Sequence, residues 1–222
     1  MSARVFNHAF VDLPKGERVD GFYQTPDGKF PSVTTVVGWK KNQFFAEWRK
    51  NNPKEAVRTR NRGTKLHSLI ETYLLNTPDY SKDKDPYTMD LFYQFQSNID
   101  KIDNIRALEG FLWSKPLRLA GRVDCIAEYD GTLSVIDFKG STKPKRKEDI
   151  ENYFMQATAY AAMWQERTGE RIPQIVILIS CDDGTVQTFI ENPNNYKKGL
   201  AQTIKEWRNE YEPKQCESQK HS

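Results

Sequence analysis

The spacing of apolar residues changes along the chain between a helical and a strand period, and these changes predict the order of its elements. Between Arg4 and Val37, short strand-like pieces are separated by turn residues, and Pro26-Asp27-Gly28 predicts a hairpin. Farther along, apolar residues three or four positions apart predict helices, and shorter apolar runs predict strands. The predicted helices are 43–50, 63–75, 89–105, 148–167 and 194–211, and the predicted strands are 107–113, 117–129, 132–139, 175–180 and 185–190.

This order of elements predicts an α/β fold with a mixed central sheet flanked by helices and an N-terminal β-hairpin flap. The length of 222 residues suits a single domain. We expect the flap to cover about residues 1–40 and the core about 41–212. The polar stretch 77–86 predicts a loop, and we expect residues 213–222 to form a disordered tail.

The dipeptide Asp130-Gly131 fixes the pairing of two predicted strands, because both residues tolerate the positive φ angles of a type I′ turn. If Tyr129 faces Thr132, the register places Asp124 opposite Asp137 and Arg122 opposite Lys139. Facing side chains lie on one side of a sheet with Cβ atoms about 5 Å apart. Two carboxylates at that distance repel each other unless a positive charge lies between them.

A divalent cation would satisfy this pair of carboxylates. Oxygen ligands suit Mg²⁺, for which Mn²⁺ would substitute, and such a cation can bridge to a substrate phosphate. Lys139 follows Asp137 by two positions and so projects from the same face, where an ammonium can hold an attacking water or stabilise charge on phosphate. The alternative interpretation is that both aspartates are ordinary solvent-exposed strand residues. A three-residue turn would also break this pairing.

Composition narrows the class of protein without identifying it. The chain is 37% hydrophobic and 28% charged, with a formal net charge of +3, which is too small to indicate a polyanion-binding protein. No apolar run reaches the roughly 20 residues of a membrane helix, and the first residues lack signal-peptide features. We therefore expect a cytoplasmic protein with no membrane partner. Its three scattered cysteines favour neither disulfides nor a zinc ribbon.

Several ordered motifs resemble the PD-(D/E)xK nuclease superfamily, in particular its RecB-like exonuclease branch. These are GRVD ending at Asp124, IDFK ending at Lys139, and QATAY from Gln156 to Tyr160. The upstream segments PSVTTVV and RGTKLHSLIETYL are similar to those of mitochondrial genome-maintenance single-strand exonucleases and related phage exonucleases. The resemblance covers about residues 31–164. It implies a restriction-endonuclease-like core and metal-dependent hydrolysis of DNA from an end.

The resemblance also assigns roles to individual residues. It implies that His67 binds the metal, although a lone histidine beside an apolar stripe is more often a packed residue. Our hypothesis is that His67, Asp124, Asp137 and the Phe138 carbonyl together bind the cation. The resemblance assigns Gln156 and Tyr160, which share a helix face, to holding DNA or the active-site network. From the residues alone, the two form a polar rim beside the helix core. Glu109 is a further candidate because its spacing before GRVD resembles the family.

A basic loop follows the lysine strand and is a candidate DNA contact. A charge run is usually a solvated surface, but this one leaves the strand that carries Lys139, so it could grip phosphates near the cleavage point. A second basic patch precedes His67. The candidate loop residues are Ser141, Lys143, Lys145 and Arg146, and the second patch comprises Arg58, Arg60, Arg62 and Lys65. Relatives that carry an iron-sulfur cluster use four cysteines, so we expect no cluster here.

Together these observations lead us to expect a magnesium-dependent deoxyribonuclease, an exonuclease of single-stranded ends or flaps that acts in replication, recombination or repair. Its expected setting is a bacterial or phage-infected cell. By resemblance, the stretch 77–105 could form an arch over the site. Two alternatives remain open: a double-strand exonuclease or structure-specific endonuclease of the same fold, and a DNA-binding module without catalysis. The sequence does not indicate cleavage polarity, processivity or protein partners.

Overall fold

The computed structural model describes residues 4–82 and 84–218, with side chains described as far as residue 211. The N-terminal part forms a small antiparallel sheet, and its hairpin turns where the sequence predicted it. Its strands are β1 (Arg18–Val19), β2 (Phe22–Thr25) and β3 (Gly28–Pro31). Tyr23 and Phe30 of this sheet share a buried cluster with Phe111 and Trp113, which attaches the flap to the main sheet.

The main sheet has five strands in sequence order and confirms the predicted mixed sheet. All neighbouring strands are antiparallel except the central third and fourth, which are parallel. A crossover connection must join that parallel pair, because the chain has to return along one face of the sheet to begin the second strand at the same end. Such a connection is usually a helix. The strands are β4 (Ile102–Ser114), β5 (Leu119–Tyr129), β6 (Thr132–Ser141), β7 (Gln174–Cys181) and β8 (Val186–Glu191).

Helices cover both faces of the main sheet and confirm the predicted architecture. Short 3₁₀ segments at Lys147–Ile150 and Pro193–Tyr196 precede the last two helices. The helices are α1 (Val33–Val37), α2 (Trp39–Phe44), α3 (Ala46–Asn51), α4 (Pro53–Leu74), α5 (Pro86–Ile99), α6 (Glu151–Thr168) and α7 (Lys197–Ser218). None of the helices within the described residues is long and apolar enough to cross a membrane.

Several boundaries differ from those predicted. The predicted helix 43–50 is two helices, because the chain is interrupted at Phe45, and α4 begins ten residues before Gly63. Residues 33–37 are helical rather than strand-like, with the Ser32 hydroxyl accepting the Thr35 N–H at 3.1 Å as an N-cap. Helix α7 continues through residues 213–218, where we expected disorder, and residues 219–222 lie outside the described part.

The predicted helix 89–105 is the largest difference. Helix α5 ends at Ile99, and residues 102–105 begin β4, where Ile102 faces Tyr129 across the ladder. A β-bulge follows between Asp103 and Ala107, with Asn104 at a positive φ of 46°. The apolar residues Ile99, Ile102 and Ile105 fit a helical period, and tertiary pairing with β5 overrides that local pattern. Because α5 buries its apolar face in the core and residues 102–105 belong to the sheet, the described residues 86–105 do not form the expected arch.

Two apolar clusters fill the space on opposite faces of the sheet. One lies mainly between the sheet and α1, α6 and α7, and Phe154 and Trp164 of α6 are fully buried in it. The other lies between the sheet and α4 and α5, and includes the buried Cys125. Cys125 and Cys181 are free thiols. The sheet is therefore covered on both faces, and polar residues inside it need a specific reason to be there.

The Asp130-Gly131 hairpin forms with the predicted register. Both residues have positive φ, 48° and 76°, as a type I′ turn requires, and Tyr129 faces Thr132. The ladder between β5 and β6 ends, however, at Cys125 and Ile136. Beyond that point β5 continues to pair with β4, whereas β6 continues in parallel beside β7. The two strands thus separate into a fork just before Asp124 and Asp137 would pair.

Candidate active site

The fork between β5 and β6 leaves backbone groups that no strand partner satisfies, and polar side chains take their place. The carboxylate of Asp124 accepts the Phe138 N–H at 3.0 Å, so a side chain replaces the missing ladder bond. The predicted pairing of Arg122 with Lys139 is wrong, because the ladder between β5 and β6 ends before it reaches these residues. The Arg122 guanidinium instead donates to the Gly16 carbonyl at 3.3 Å. Asp124 and Asp137 nevertheless lie at the same fork, on its two branches.

Asp137 is almost fully buried and is held by two donors. Its Oδ1 accepts from Lys139 Nζ at 2.7 Å and from Gln156 Nε2 at 2.8 Å. Its Oδ2 lies 2.6 Å from the same ammonium but accepts no aligned hydrogen bond, and this atom is buried. A buried carboxylate oxygen with a free lone pair is costly unless a cation or donor satisfies it.

Burial and the neighbouring charges at the fork shift the pKa values of Asp137 and Lys139. Burial raises the pKa of Asp137 to about 6, and the nearby carboxylate of Asp124 adds to this, while Lys139 opposes it. Burial by itself would lower the pKa of Lys139, but the carboxylates of Asp137 and Asp124 raise it above its ordinary value. Lys139 is therefore a protonated ammonium at neutral pH, and it is aimed at the carboxylates.

His67 joins the site from α4, with its two ring nitrogens facing different partners. Nε2 lies 2.6 Å from the Phe138 carbonyl oxygen, which only accepts, so Nε2 carries a proton. Nδ1 faces Asp124 Oδ2 at 3.6 Å. His67 thus directs Nδ1 toward Asp124, and both residues were predicted to bind the metal. The Phe138 carbonyl, which was also predicted as a ligand, fixes the orientation of the His67 ring.

Glu109 of β4 completes a compact group of possible metal ligands. One ligand atom from each of His67, Glu109 and Asp124 lies within 4.8 Å of the others. Burial raises the pKa of Glu109 to about 7, and repulsion from Asp124 adds to the shift. Glu109 also has a positive φ of 47° inside a strand, a conformation that costs a residue with a Cβ about 1–2 kcal/mol.

This group fits a divalent cation. Three carboxylates and an imidazole converge on one region, and the raised pKa values of Glu109 and Asp137, with the buried Asp137 Oδ2 that accepts no aligned hydrogen bond, mark a place where positive charge would be stabilised. His67, Glu109 and Asp124 form the compact group, and Asp137 lies on the adjoining branch. The oxygen-rich donor set favours Mg²⁺ or Mn²⁺ over softer metals, and the imidazole makes Mn²⁺ a good substitute.

The predicted pair on α6 occupies the interior of the site. Gln156 is buried and bonds Asp137. Tyr160, one turn later, is also buried, and its hydroxyl would lie only 2.6 Å from a Cβ built on Gly121. Close approach of α6 to β5 thus requires the glycine of the GRVD motif. The geometry brings Gln156 into contact with Asp137, which favours the second of the two roles that the resemblance offered for this pair.

The basic loop leaves the end of β6 and is tied down by local hydrogen bonds. The Ser141 hydroxyl donates to the Lys143 carbonyl at 2.7 Å and is buried. Lys145 exchanges backbone hydrogen bonds with the side chain of Gln187 on β8. Arg146 forms a two-point ion pair with Asp149. Among the described residues, neither the exposed Lys143 nor the half-buried Lys145 of this loop forms an ion pair with an acidic side chain.

Three further residues surround Lys139, of which the sequence had singled out only Arg62, as a member of the second basic patch. Tyr153 of α6 lies under the Lys139 ammonium, 5.1 Å from the ring centroid. Lys41 of α2 lies 5.6 Å from the same ring. Arg62 of α4 is largely buried beside Gly140 and forms an ion pair with Asp182 at 2.8 Å. Only the folding of α2, α4 and α6 around β6 brings these residues together, so no local spacing could reveal them.

A mixed sheet that forks at two aspartates, with a lysine two residues after the second, defines a restriction-endonuclease-like nuclease core. Comparison with known families agrees: the model of the PD-(D/E)XK nuclease superfamily matches residues 46–219. The chain belongs to the PD-(D/E)XK nuclease superfamily.

Individual relatives are more distant. The chain is 34% identical over 85 residues to human mitochondrial genome maintenance exonuclease 1, covering 37% of this chain and 24% of that protein. It is 30% identical over 128 residues to the mouse protein of that name, covering 52% and 38%. The chain thus spans well under half of these curated relatives. A crystal structure from Eubacterium rectale, provisionally named an exonuclease, covers 67% of this chain and 68% of that chain with a TM-score of 0.44 and 12% identity.

Proposed function

We propose that this protein is a metal-dependent DNA exonuclease that hydrolyses phosphodiester bonds at single-stranded ends or flaps, in replication, recombination or repair. The observation that carries this proposal is the fork between β5 and β6, where Asp124, Asp137 and Lys139 meet His67 and Glu109. The names of the curated relatives, which are exonucleases, support the choice of an exonuclease within the superfamily.

The acidic side of the fork would hold the cation. His67, Glu109 and Asp124 would be its ligands, with Asp137 Oδ2 reaching in from the adjoining branch. Bound Mg²⁺ supplies charge neutralisation at the scissile phosphate and lowers the cost of forming the attacking nucleophile. The arrangement of the carboxylates therefore suits the charges that are present when the cation and the substrate are bound. Without the cation, the carboxylates repel one another.

Lys139 would act on the substrate from the other side of Asp137. As an ammonium it donates hydrogen bonds to the attacking water or to a non-bridging phosphate oxygen, where negative charge increases in the transition state. Asp137 and Gln156 fix the direction of this ammonium. The Asp137 carboxylate accepts hydrogen bonds from both Lys139 and Gln156, and the Gln156 amide cannot move without breaking its 2.8 Å bond. Tyr153 closes the other side of the lysine and limits access of bulk water.

DNA contacts would come from the surface next to Lys139. Lys143 and Lys145 leave the same strand and can approach phosphates beside the cleaved bond. Arg146 would have to exchange Asp149 for a phosphate. Ser141 and Tyr160 are buried, so they would shape the loop and the α6–β5 contact and support the DNA-binding residues.

The decisive experiment is digestion of end-labelled single-stranded DNA with Mg²⁺, Mn²⁺ or EDTA, comparing the wild type with Lys139→Ala and Asp137→Asn. We expect metal-dependent shortening in the wild type and a loss of at least about 100-fold in both variants. Lys115→Ala serves as the control, because Lys115 is exposed and pairs with Asp27 away from the fork. Undiminished cleavage by both variants would refute the assigned site.

A circular single-stranded substrate tests the dependence on ends. An exonuclease leaves the closed circle intact and degrades the strand only when a nick has been introduced beforehand. An endonuclease of the same fold cuts the closed circle. Matched duplex and single-stranded substrates distinguish the double-strand alternative. DNA binding without cleavage under any divalent cation would instead support a non-catalytic module.

A further inference from the structure

Next to the fork, one segment of the chain is exposed along nearly its whole length. We call residues 42–61, which comprise the second half of α2, all of α3 and the first part of α4, the helical excursion. Every residue in it except Ala56 is exposed. Because helices of a globular domain normally bury one apolar face, three successive helical pieces with almost no buried face point to a partner outside the chain.

Both ends of the helical excursion are anchored beside the predicted catalytic lysine. At its start, Lys41 donates to Asn152 at 2.6 Å and lies over the Tyr153 ring, whose centroid is 5.1 Å from Lys139 Nζ. At its end, Arg62 lies against Gly140, where an added Cβ would be 3.4 Å from the guanidinium Nε. The helical excursion therefore starts and finishes at residues that neighbour Lys139.

The helical excursion presents an unusual group of aromatic side chains to solvent. Phe44 is 80% exposed, Phe45 is 45% exposed and Trp48 is 43% exposed. The rings of Phe44 and Phe45 meet edge to face with centroids 5.0 Å apart. Three large rings exposed within five residues form a patch that a monomeric protein rarely leaves uncovered without a function.

The same segment concentrates the positive charge of the protein. It holds five basic and two acidic residues, a formal net charge of +3, which equals the net charge of the whole chain. The rest of the chain is therefore neutral on balance. The basic residues are Arg49, Lys50, Lys54, Arg58 and Arg60, and the acidic residues are Glu47 and Glu55.

We propose that the helical excursion binds single-stranded nucleic acid, with bases stacked on Phe44, Phe45 and Trp48 and phosphates held by the surrounding lysines and arginines. This inference rests on the proposed nuclease function for the identity of the ligand. Exposed rings together with cations match a strand whose bases are unpaired, because each base offers a flat face and each linkage offers a negative charge. A duplex hides those faces, and an apolar protein partner has no need of the cations.

The location gives the surface a role in the reaction. A strand bound along the helical excursion passes from it directly to Lys139 and the fork, so the surface would hold the part of the strand next to the bond that is cut. Discrimination between single strands and duplex would arise here, by stacking, while the residues of the fork act on a phosphodiester that both substrates share.

The test is fluorescence anisotropy with a labelled oligothymidylate and with a duplex of equal length, in EDTA so that no hydrolysis occurs. We expect Phe44→Ala and Trp48→Ala each to raise the Kd for the oligothymidylate about tenfold and to leave the Kd for duplex unchanged. Lys50→Gln should weaken binding of both and reduce the slope of log K against log salt by about one. Tyr93→Ala is the matched control, because Tyr93 is 55% exposed on α5, outside the helical excursion.

Three results would overturn this inference. They are unchanged affinity in both aromatic variants, an equal loss for single strand and duplex, and conversion of a dimer to a monomer by Trp48→Ala with unchanged DNA affinity. Because binding is measured without metal, its outcome is separate from that of the cleavage experiment. Unfolding is a small concern for side chains this exposed, and thermal melts of each variant would detect it.

Discussion

Asp137 illustrates how a single residue is kept in an unfavourable state by its neighbours. It is the one charged residue among the fully described buried side chains of the protein, and burial is the main reason that its pKa rises to about 6. Lys139 and Gln156 reduce the cost by donating to the same oxygen. A buried carboxylate stabilises a fold poorly, so the burial of Asp137 favours the catalytic role proposed for it over a role in stability.

Gln156 should act by positioning Asp137. Gln156→Ala removes a buried donor to a carboxylate, so we expect the apparent affinity for Mn²⁺ to fall about 10- to 100-fold, as for other residues that orient metal ligands. Cleavage titrated with Mn²⁺ measures this, and saturating metal should recover part of the rate. Gln165→Ala, an exposed change on the same helix, is the control. If Gln156→Ala and Gln165→Ala give the same metal dependence, Gln156 has no positioning role.

At the scale of elements, the site exists because one strand changes partners. Strand β6 pairs with β5 only as far as Ile136 and then continues beside β7 alone, while β5 remains with β4. The resulting fork opens the sheet without breaking either ladder. The Asp130-Gly131 turn correctly predicted that the two aspartates lie close together. It does not specify where the ladder ends, because that depends on the pairing of β5 with β4 and of β6 with β7.

Close packing of α6 on β5 should be sensitive to the size of residue 121. In Gly121→Ala the added Cβ would lie 2.6 Å from the Tyr160 hydroxyl oxygen and 2.9 Å from ring atom Cε1, so one element must shift. We expect a loss of about 1–3 kcal/mol in the free energy of unfolding, measured by urea denaturation. The double variant with Tyr160→Phe should recover part of it.

Gly63→Ala provides the matched control for this prediction. Gly63 lies inside α4, and a Cβ there meets nothing within 4 Å. Replacing a helix glycine by alanine should raise the free energy of unfolding by about 0.5–1 kcal/mol. An equal change of the same sign at positions 121 and 63 would show that the close approach of Tyr160 has no energetic consequence.

Helix α5 should depend on its N-cap. The Asp85 carboxylate accepts the Thr88 N–H at 3.0 Å and pairs with Lys65 at 3.0 Å. The hydrogen bond from Lys65, with that from the Thr88 backbone, lowers the pKa of Asp85 from 3.8 to about 2. Asp85→Ala should therefore cost about 1 kcal/mol near neutral pH, the usual value of a cap.

The pH dependence of this effect has a definite sign. Because the folded pKa is lower than the unfolded one, the stabilisation is fully present above about pH 4 and is lost as the pH falls toward 2. Urea denaturation of wild type and Asp85→Ala across that range measures it, with Asp90→Ala as an exposed control on the same helix. A difference as large at pH 2 as at neutral pH would mean that the cap does not act through the carboxylate.

At the scale of the whole molecule, the candidate metal ligands come from three elements that only the folded chain brings together. His67 lies on α4, Glu109 on β4 and Asp124 on β5. A cation bound by all of them links these elements in the native state only. Binding should therefore stabilise the entire fold, by about 2.7 kcal/mol when the cation is present at 100 times its Kd.

Thermal unfolding with Mn²⁺ measures this linkage. The wild type should gain about 5–10 °C in Tm at that concentration, given the usual change per kcal/mol for a domain of this size. Glu109→Gln should show a clearly smaller gain, because it loses one charged ligand. Glu128→Gln, a carboxylate on β5 that pairs with Arg106, should respond like the wild type. Equal gains in both variants would exclude Glu109 from the ligands.

The order of helices and strands could be predicted from the sequence, because hydrophobic period and turn chemistry are local properties. So could the grouping of Asp124, Asp137 and Lys139, since a two-residue turn fixes which residues face each other in a hairpin. Where local signals conflicted with distant partners, prediction was wrong: residues 102–105 look helical but become a strand because β5 offers them a ladder.

Tertiary structure alone decided the geometry of the site. The fork, the approach of His67 and Glu109 to Asp124, and the bond from Gln156 to Asp137 arise where elements far apart in sequence come into contact. The same is true of Lys41 and Arg62, which attach the helical excursion beside Lys139. Sequence spacing specifies which residues share one strand or helix face, whereas distances between elements follow from how their apolar faces pack against the sheet.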